Sequence, residues 1–234
     1  MGNINIYWSI NHHANLPGIR VEEPDSLELT YFEDKNFREY NYKACPAVSK
    51  FMNNTFVLRS AFDYSFFVNG DDVKSDLYDQ AFFDRHVQIR SLKSKLFSLK
   101  PYIIFFTDEK DLEISISQPF LDQNAFTDRA VVIPGQFNIG KYFRMLDFAF
   151  HLKDNISDFK IKEKDAIYYM KAHTDRKINF KRFMWTPKCQ DYLEFVWNAK
   201  ENKLKHSSLA TFYKYFNKYN YKKLILKEIK ENLV

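Results

Sequence analysis

Glycine is nearly missing from this chain: five residues in 234, about 2% against a usual value of about 7%. Folds that cradle nucleotide phosphates on glycine-rich loops are therefore poorly supported. Cysteine is as rare. Cys45 and Cys189 lie far apart. They are too few for a disulfide framework, or for a zinc site without His or Asp ligands. Both are expected as buried free thiols in a reducing compartment. No apolar run approaches the roughly 18 residues that would cross a bilayer. The opening MGNINIYWSI lacks the basic region, apolar stretch and cleavage site of a secretory signal. Ile6 stands where myristoylation wants Ser or Thr. The expectation is a chain made and kept inside a cell, without a signal peptide and without a membrane partner.

Rings are what the chain has in plenty: 24 Phe, 15 Tyr and 3 Trp. With 45% hydrophobic and 28% charged residues, this excludes a disordered or collagenous protein. A chain of this size buries roughly 70–75% of its unfolded surface, so a large core is expected. The net charge of +5 is uneven. Residues 200–234 hold nine Lys, three Glu and no Arg, whereas the first 199 hold 26 basic and 27 acidic groups. A near-neutral body with a basic tail suits either a polyanionic partner or the solvated face of an amphipathic helix.

Up to about Trp185 the dominant hydrophobic period is two. Runs at 3–8, 27–31, 55–59, 62–68, 102–107, 112–117 and 130–133 read as strands, with Asp108–Lys110 as a hairpin turn. Residues 143–150, 159–162, 167–172 and 178–183 read as a meander of short antiparallel strands. Asn53–Thr55 and Asn155–Ser157 fit the glycosylation pattern but read as turns. Residues 70–98 suit a long loop, with a short helix at 75–83. From Pro187 the apolar spacing becomes helical, with Ser207 or Ser208 as a cap. The fold class is α+β: ten to twelve strands in an antiparallel β-sandwich or jelly-roll-like body (1–186), then a helical C-terminal appendage (187–234).

No reactive set assembles from these residues. Gly135–Tyr142 matches the phosphate-binding loop G-x-x-x-x-G-K-[ST] except at its last place, where Tyr142 cannot supply a small hydroxyl to Mg²⁺. Strand-like residues follow where a helix is needed, so a glycine turn is the expectation. Asn138 stands where a nucleotide hydrolase of the dUTPase type would need an Asp to activate water. His173 and Asp175 form an H-x-D pair, two ligands of the 2-His-1-carboxylate set that binds non-haem Fe(II). The only downstream histidine is His206, in the helical segment. His12–His13, Asp71–Asp72 and Asp84–Arg85–His86 read as loops. In the tail, Lys214, Lys218, Lys222 and Lys223 interleave with Tyr213, Tyr215, Tyr219 and Tyr221, a pattern that can bind single-stranded nucleic acid.

Taken in order, Ile6–Ser9, Ala44–Ala47, Asn54–Phe56, Ser60 with Asp63, and Gly135–Ile139 with Arg144 resemble a group of uncharacterised proteins of tailed bacteriophages, marine myophages above all. The likeness covers most of the β-rich part and not the helical tail. It implies a phage setting, either in the virion or during infection, and brings no catalytic residue with it. The resulting expectation leans against an enzyme. It is a structural or interaction protein, with a place in the virion as one option, that needs no cofactor. Aromatic-rich surfaces would dock it to a protein partner or to itself. The alternatives are a non-haem Fe(II)/2-oxoacid-dependent oxygenase at His173 and Asp175, and nucleic-acid binding through Lys214, Lys218, Lys222 and Lys223.

Overall fold

The computed structural model describes residues 2–11, 22–27, 45–70, 72–199 and 207–234. The fold is α+β with a helical C-terminal region, comprising fifteen strands and six helices among the described residues. In chain order these begin β1 (Ile4–Ile10), β2 (Asp25–Ser26), α1 (Pro46–Met52), β3 (Thr55–Arg59), β4 (Tyr64–Asn69), β5 (Asp72–Ser75) and α2 (Gln80–His86). Then come β6 (Val87–Ser91), β7 (Leu96–Leu99), β8 (Ile103–Thr107), β9 (Glu113–Ser117), α3 (Ala125–Arg129), β10 (Ala130–Val132) and β11 (Gly135–Asn138). The last are β12 (Phe148–Leu152), β13 (Asp158–Ile161), β14 (Ala166–Ala172), β15 (Ile178–Arg182), α4 (Pro187–Asn198), α5 (Leu209–Lys218) and α6 (Tyr221–Glu231).

The strands form four sheets, ordered β15-β1-β8, β10-β12-β7-β6, β11-β9-β14-β3-β2 and β13-β4-β5. The β1–β15 pair is parallel and every other pair antiparallel. Two sequence expectations fail here. Strands β12, β13, β14 and β15 do not form a meander, for each belongs to a different sheet. Nor do β8 and β9 close a hairpin: β8 pairs with β1, while β9 pairs with β11 and β14. Burial explains the difference. All five residues of β8 are buried, whereas β9 alternates half-buried and buried positions as a strand with one wet face should. The turn at 108–111 therefore carries the chain from one sheet to another.

Residues 72–99 are more ordered than their charges suggest. Strand β5 pairs with β4 across a turn at Gly70, whose φ of +60° suits a residue without a Cβ. The short helix lies later than expected, at α2, because Asp79 caps it by accepting from the Phe82 amide at 2.7 Å. Cys45 is exposed rather than buried, since it sits at the N-cap position of α1, a helix with no forewarning in the sequence; Cys189 is buried. The two glycosylation-like sites are turns, with Asn54 and Asn155 at positive φ. His12, His13, Asp71, residues 28–31 and His206 lie outside the described residues.

The main core takes side chains from all four sheets. Phe159 of β13 stacks on Phe66 of β4 at 4.4 Å and on Phe150 of β12 at 4.8 Å, and meets Phe126 of α3 edge-on at 5.5 Å. Each such pair adds about 0.5–1.5 kcal/mol beyond simple area burial. Period-two alternation then divides β1 and β8 between two cores. Ile4, Ile6, Trp8, Ile10, Ile103 and Phe105 face the main core; Tyr7, Ile104 and Phe106 face the other way. On that second side they meet Cys189, Leu193 and Val196 of α4, Phe212 and Phe216 of α5, and Ile225 and Ile229 of α6. The helices thus roof the outer face of the β15-β1-β8 sheet.

Local signals start these helices as the sequence implies. Pro187 occupies the first turn of α4 behind the Thr186 cap, and Ser208 caps α5 through the Thr211 amide at 3.2 Å. Asn220, in left-handed conformation at φ 55°, turns the chain from α5 into α6.

Phe106 contacts Phe143 at 5.3 Å and Phe216 at 6.3 Å between ring centres, so it couples the sheet to the roof. Phe106→Ala should cost about 3–5 kcal/mol in chemical denaturation. Far-ultraviolet circular dichroism and tryptophan fluorescence should shift to the same lower midpoint. An unchanged midpoint in either signal would contradict the shared packing.

Candidate functional site

The structure places the two proposed iron ligands in the bend between β14 and β15, both exposed. His173 Nε2 lies 3.0 Å from the Ser115 hydroxyl. Among the described residues, no three His, Cys, Asp or Glu side chains are grouped closely enough to hold a metal ion together. The glycine-rich stretch is a strand end and a turn. Asn138 Oδ1 accepts from the Gly140 amide at 3.0 Å, and Lys141 is paired with Asp111 at 2.7 Å. A Cβ at Gly140 would strike the Glu109 carbonyl oxygen and come within 2.9 Å of Lys222 Nζ, so close packing explains the glycine.

The four tail lysines do not share one environment. Lys214, Lys218 and Lys223 are exposed. Lys222 is half-buried, donates to the Glu109 carbonyl at 2.5 Å, and has its pKa lowered, chiefly by burial.

Two ionisable groups inside the body were not visible as such in the sequence. His86 ends α2 rather than a loop. It stacks on Phe82 at 4.1 Å, and its Nδ1 lies 3.2 Å from the Tyr64 hydroxyl. Burial, helped by Arg85 and Lys100, pushes its pKa down to about 4, so it is neutral at physiological pH. Asp147 precedes β12, and its Oδ1 is buried without a hydrogen-bond partner, as is Arg144 Nε. Burial raises the Asp147 carboxyl to about 6 against the pull of Arg144, Lys100 and Arg90. The Arg144 guanidinium is stacked 4.3 Å from the Trp197 ring and 5.5 Å from Tyr142. Neither group adjoins a nucleophile or metal-ligand set. A cleft between residues 22–25 and 99–103 is floored by Leu58, Ile103 and Ile167 and rimmed by Arg59, Glu163 and Lys164, and holds about 40 Å³. That is room for about three waters.

The feature that stands out is apolar and on the surface. Phe51, 37% exposed near the end of α1, meets Phe120, 55% exposed, edge-on at 5.4 Å. Phe120 in turn meets Tyr169 at 5.3 Å. Polar bonds hold these rings outward. Lys171 donates to the carbonyls of Phe51 at 2.7 Å, Asn53 at 2.9 Å and Lys50 at 3.2 Å, satisfying the open end of α1. The Tyr169 hydroxyl donates to Asp122 at 2.7 Å and accepts from the Leu121 amide at 3.3 Å, pinning the 119–122 turn. Beside Phe120 opens a shallow hollow of about 270 Å³, edged by Asp122, Asp128, Lys153 and Val131.

No family model, no curated protein and no solved structure matches the chain. No described helix is long and apolar enough to cross a membrane.

His86 and Asp147 make opposite contributions to stability over the same pH range. Between about pH 4 and 6.5 the unfolded chain protonates a histidine that the folded chain keeps neutral, so His86 adds stability as pH rises. Asp147 keeps a proton when folded that the unfolded chain loses above pH 3.8, so stability is lost as pH rises toward about 6. Asp147→Asn should therefore be increasingly stabilising as pH rises, reaching roughly 2–3 kcal/mol by neutral pH. Urea titrations across this range test it, and a pH-independent difference would refute the assignment.

Proposed function

We propose that the protein is a non-enzymatic interaction protein that docks, through the face centred on Phe51 and Phe120, against a second copy of the chain in an assembly such as a phage particle. The observation that carries this reading is the pair itself: two large rings fixed in edge-to-face contact by hydrogen-bonded backbone, yet left open to water. Soluble surfaces seldom hold such rings out unless something covers them. A second copy fits because the face is self-complementary. It combines projecting rings with a hollow, and the exposed Lys50 and Lys153 with the exposed Asp128. The phage setting comes from the sequence resemblance. The scattered placement of His86, Asp147, His173 and Asp175 favours binding over catalysis.

Sedimentation velocity over a wide concentration range tests the proposal. The native chain should associate reversibly, and Phe51→Ser with Phe120→Ser should weaken association at least tenfold while the circular dichroism spectrum stays that of the folded native chain. A native chain that stays monomeric throughout, or a double variant that associates as well as the native, would overturn it.

A further inference from the structure

A second surface, on the helical roof, has a different chemistry. The i, i+4 spacing of Tyr215 and Tyr219 puts both rings on one side of α5, with centroids 4.7 Å apart. The left-handed turn at Asn220 then folds α6 back, so that Tyr221 lies 5.9 Å from Tyr219 and 4.6 Å from Phe195 of α4. Four rings in succession thus cross the roof, and Tyr219 and Phe195 remain 46% and 41% exposed. Lys218 Nζ stands 5.6 Å from the Tyr219 ring centre.

Charge along α5 and the first two turns of α6 has one sign. From Ser207 to Lys227 the chain contains no Asp or Glu. On α6, Lys222, Lys223, Lys227 and Lys230 edge an open groove of about 450 Å³ with Leu226 and Asn220. Lys222 and Lys230 turn toward the 108–111 loop, where they bind the Glu109 carbonyl and the Asp108 carboxylate. Lys218 and Lys223 are exposed, and Lys227 has only a loose 3.9 Å approach to Glu231.

We infer that this ring-and-lysine face binds single-stranded nucleic acid, with bases stacking on the Tyr215–Tyr219–Tyr221 row and phosphates meeting Lys218, Lys223 and Lys227. Charge complementarity calls for a polyanion. The rings select among polyanions, because unpaired bases present planar faces at close intervals and an acidic peptide does not. A duplex keeps those faces inside its stack. With no arginine among residues 200–234 to read base edges, recognition is tolerant of sequence. This surface is distinct from the Phe51–Phe120 face, so either can fail without the other.

Fluorescence anisotropy of the full-length protein with a labelled 20-nucleotide thymidine oligomer tests the inference. Three phosphate contacts predict a salt slope near −2, or about a 20-fold loss of affinity between 50 and 200 mM salt. Tyr219→Leu, which keeps bulk but removes the ring, should weaken binding at least about fivefold with the slope unchanged. Lys223→Gln with Lys227→Gln should instead flatten the slope to about −0.7. Thermal melts confirm that these surface variants fold. Absence of binding at 50 mM salt overturns the proposal. So does equal competition by poly-glutamate together with indifference to Tyr219→Leu, which would mark a surface for acidic protein.

Discussion

Strands β1 and β8 have to satisfy two cores at once, and the arrangement of the protein follows from that. A strand points successive side chains to opposite faces, so a run such as Ile103-Ile104-Phe105-Phe106 is tolerable only when both faces are covered. Sheets supply one cover and helices the other. Tyr7, Ile104 and Phe106 could not be left facing water, which is why the C-terminal helices lie on this sheet. Each large side chain buried there contributes about 1.5–3 kcal/mol.

Polar contacts set the register of that roof. The 108–111 turn joins strands of different sheets, and its groups bind outward in several directions. Asp108 accepts from Tyr7 and Lys230, the Glu109 side chain pairs with Arg176, its carbonyl accepts from Lys222, and Asp111 pairs with Lys141. One turn thereby ties α6, the Gly140 turn and the bend before β15 to the sheet. Glu228, buried in the roof, is satisfied by the Thr186 hydroxyl at 2.8 Å, which links the start of α4 to α6. Exposed ion pairs add little individually, but a buried acid must be bonded, and these bonds orient the helices. The orientation matters because it decides which tyrosines and lysines remain outside.

Local patterns were legible where the reason was local. Strand β3 occupies the expected residues 55–59, and β13, β14 and β15 fall within a residue or two of expectation. The start of α4 at Pro187 was equally plain, and of the two serines the sequence offered as a cap, Ser207 and Ser208, the structure uses Ser208. Strand partners were not legible. A short apolar strand with a polar turn reads the same whether the turn closes a hairpin or crosses between sheets. For β8 and β9 only the burial of both faces of β8 distinguishes the cases. Helix α1 escaped notice because seven residues with one buried side chain carry almost no periodic signal.

The candidate surfaces divide along the same line. Sequence alone established a ring-rich α+β chain with a helical basic end, and showed the interleaving of Lys and Tyr between 213 and 223, because composition and short periods survive without knowledge of neighbours. Tertiary structure decided which of these groups are free. It joined Phe51 to Phe120 across 69 positions, took Lys222 and Lys230 into the 108–111 loop, and enclosed His86 and one carboxylate oxygen of Asp147. Burial and pairing depend on residues far away in the chain, so no local reading could supply them.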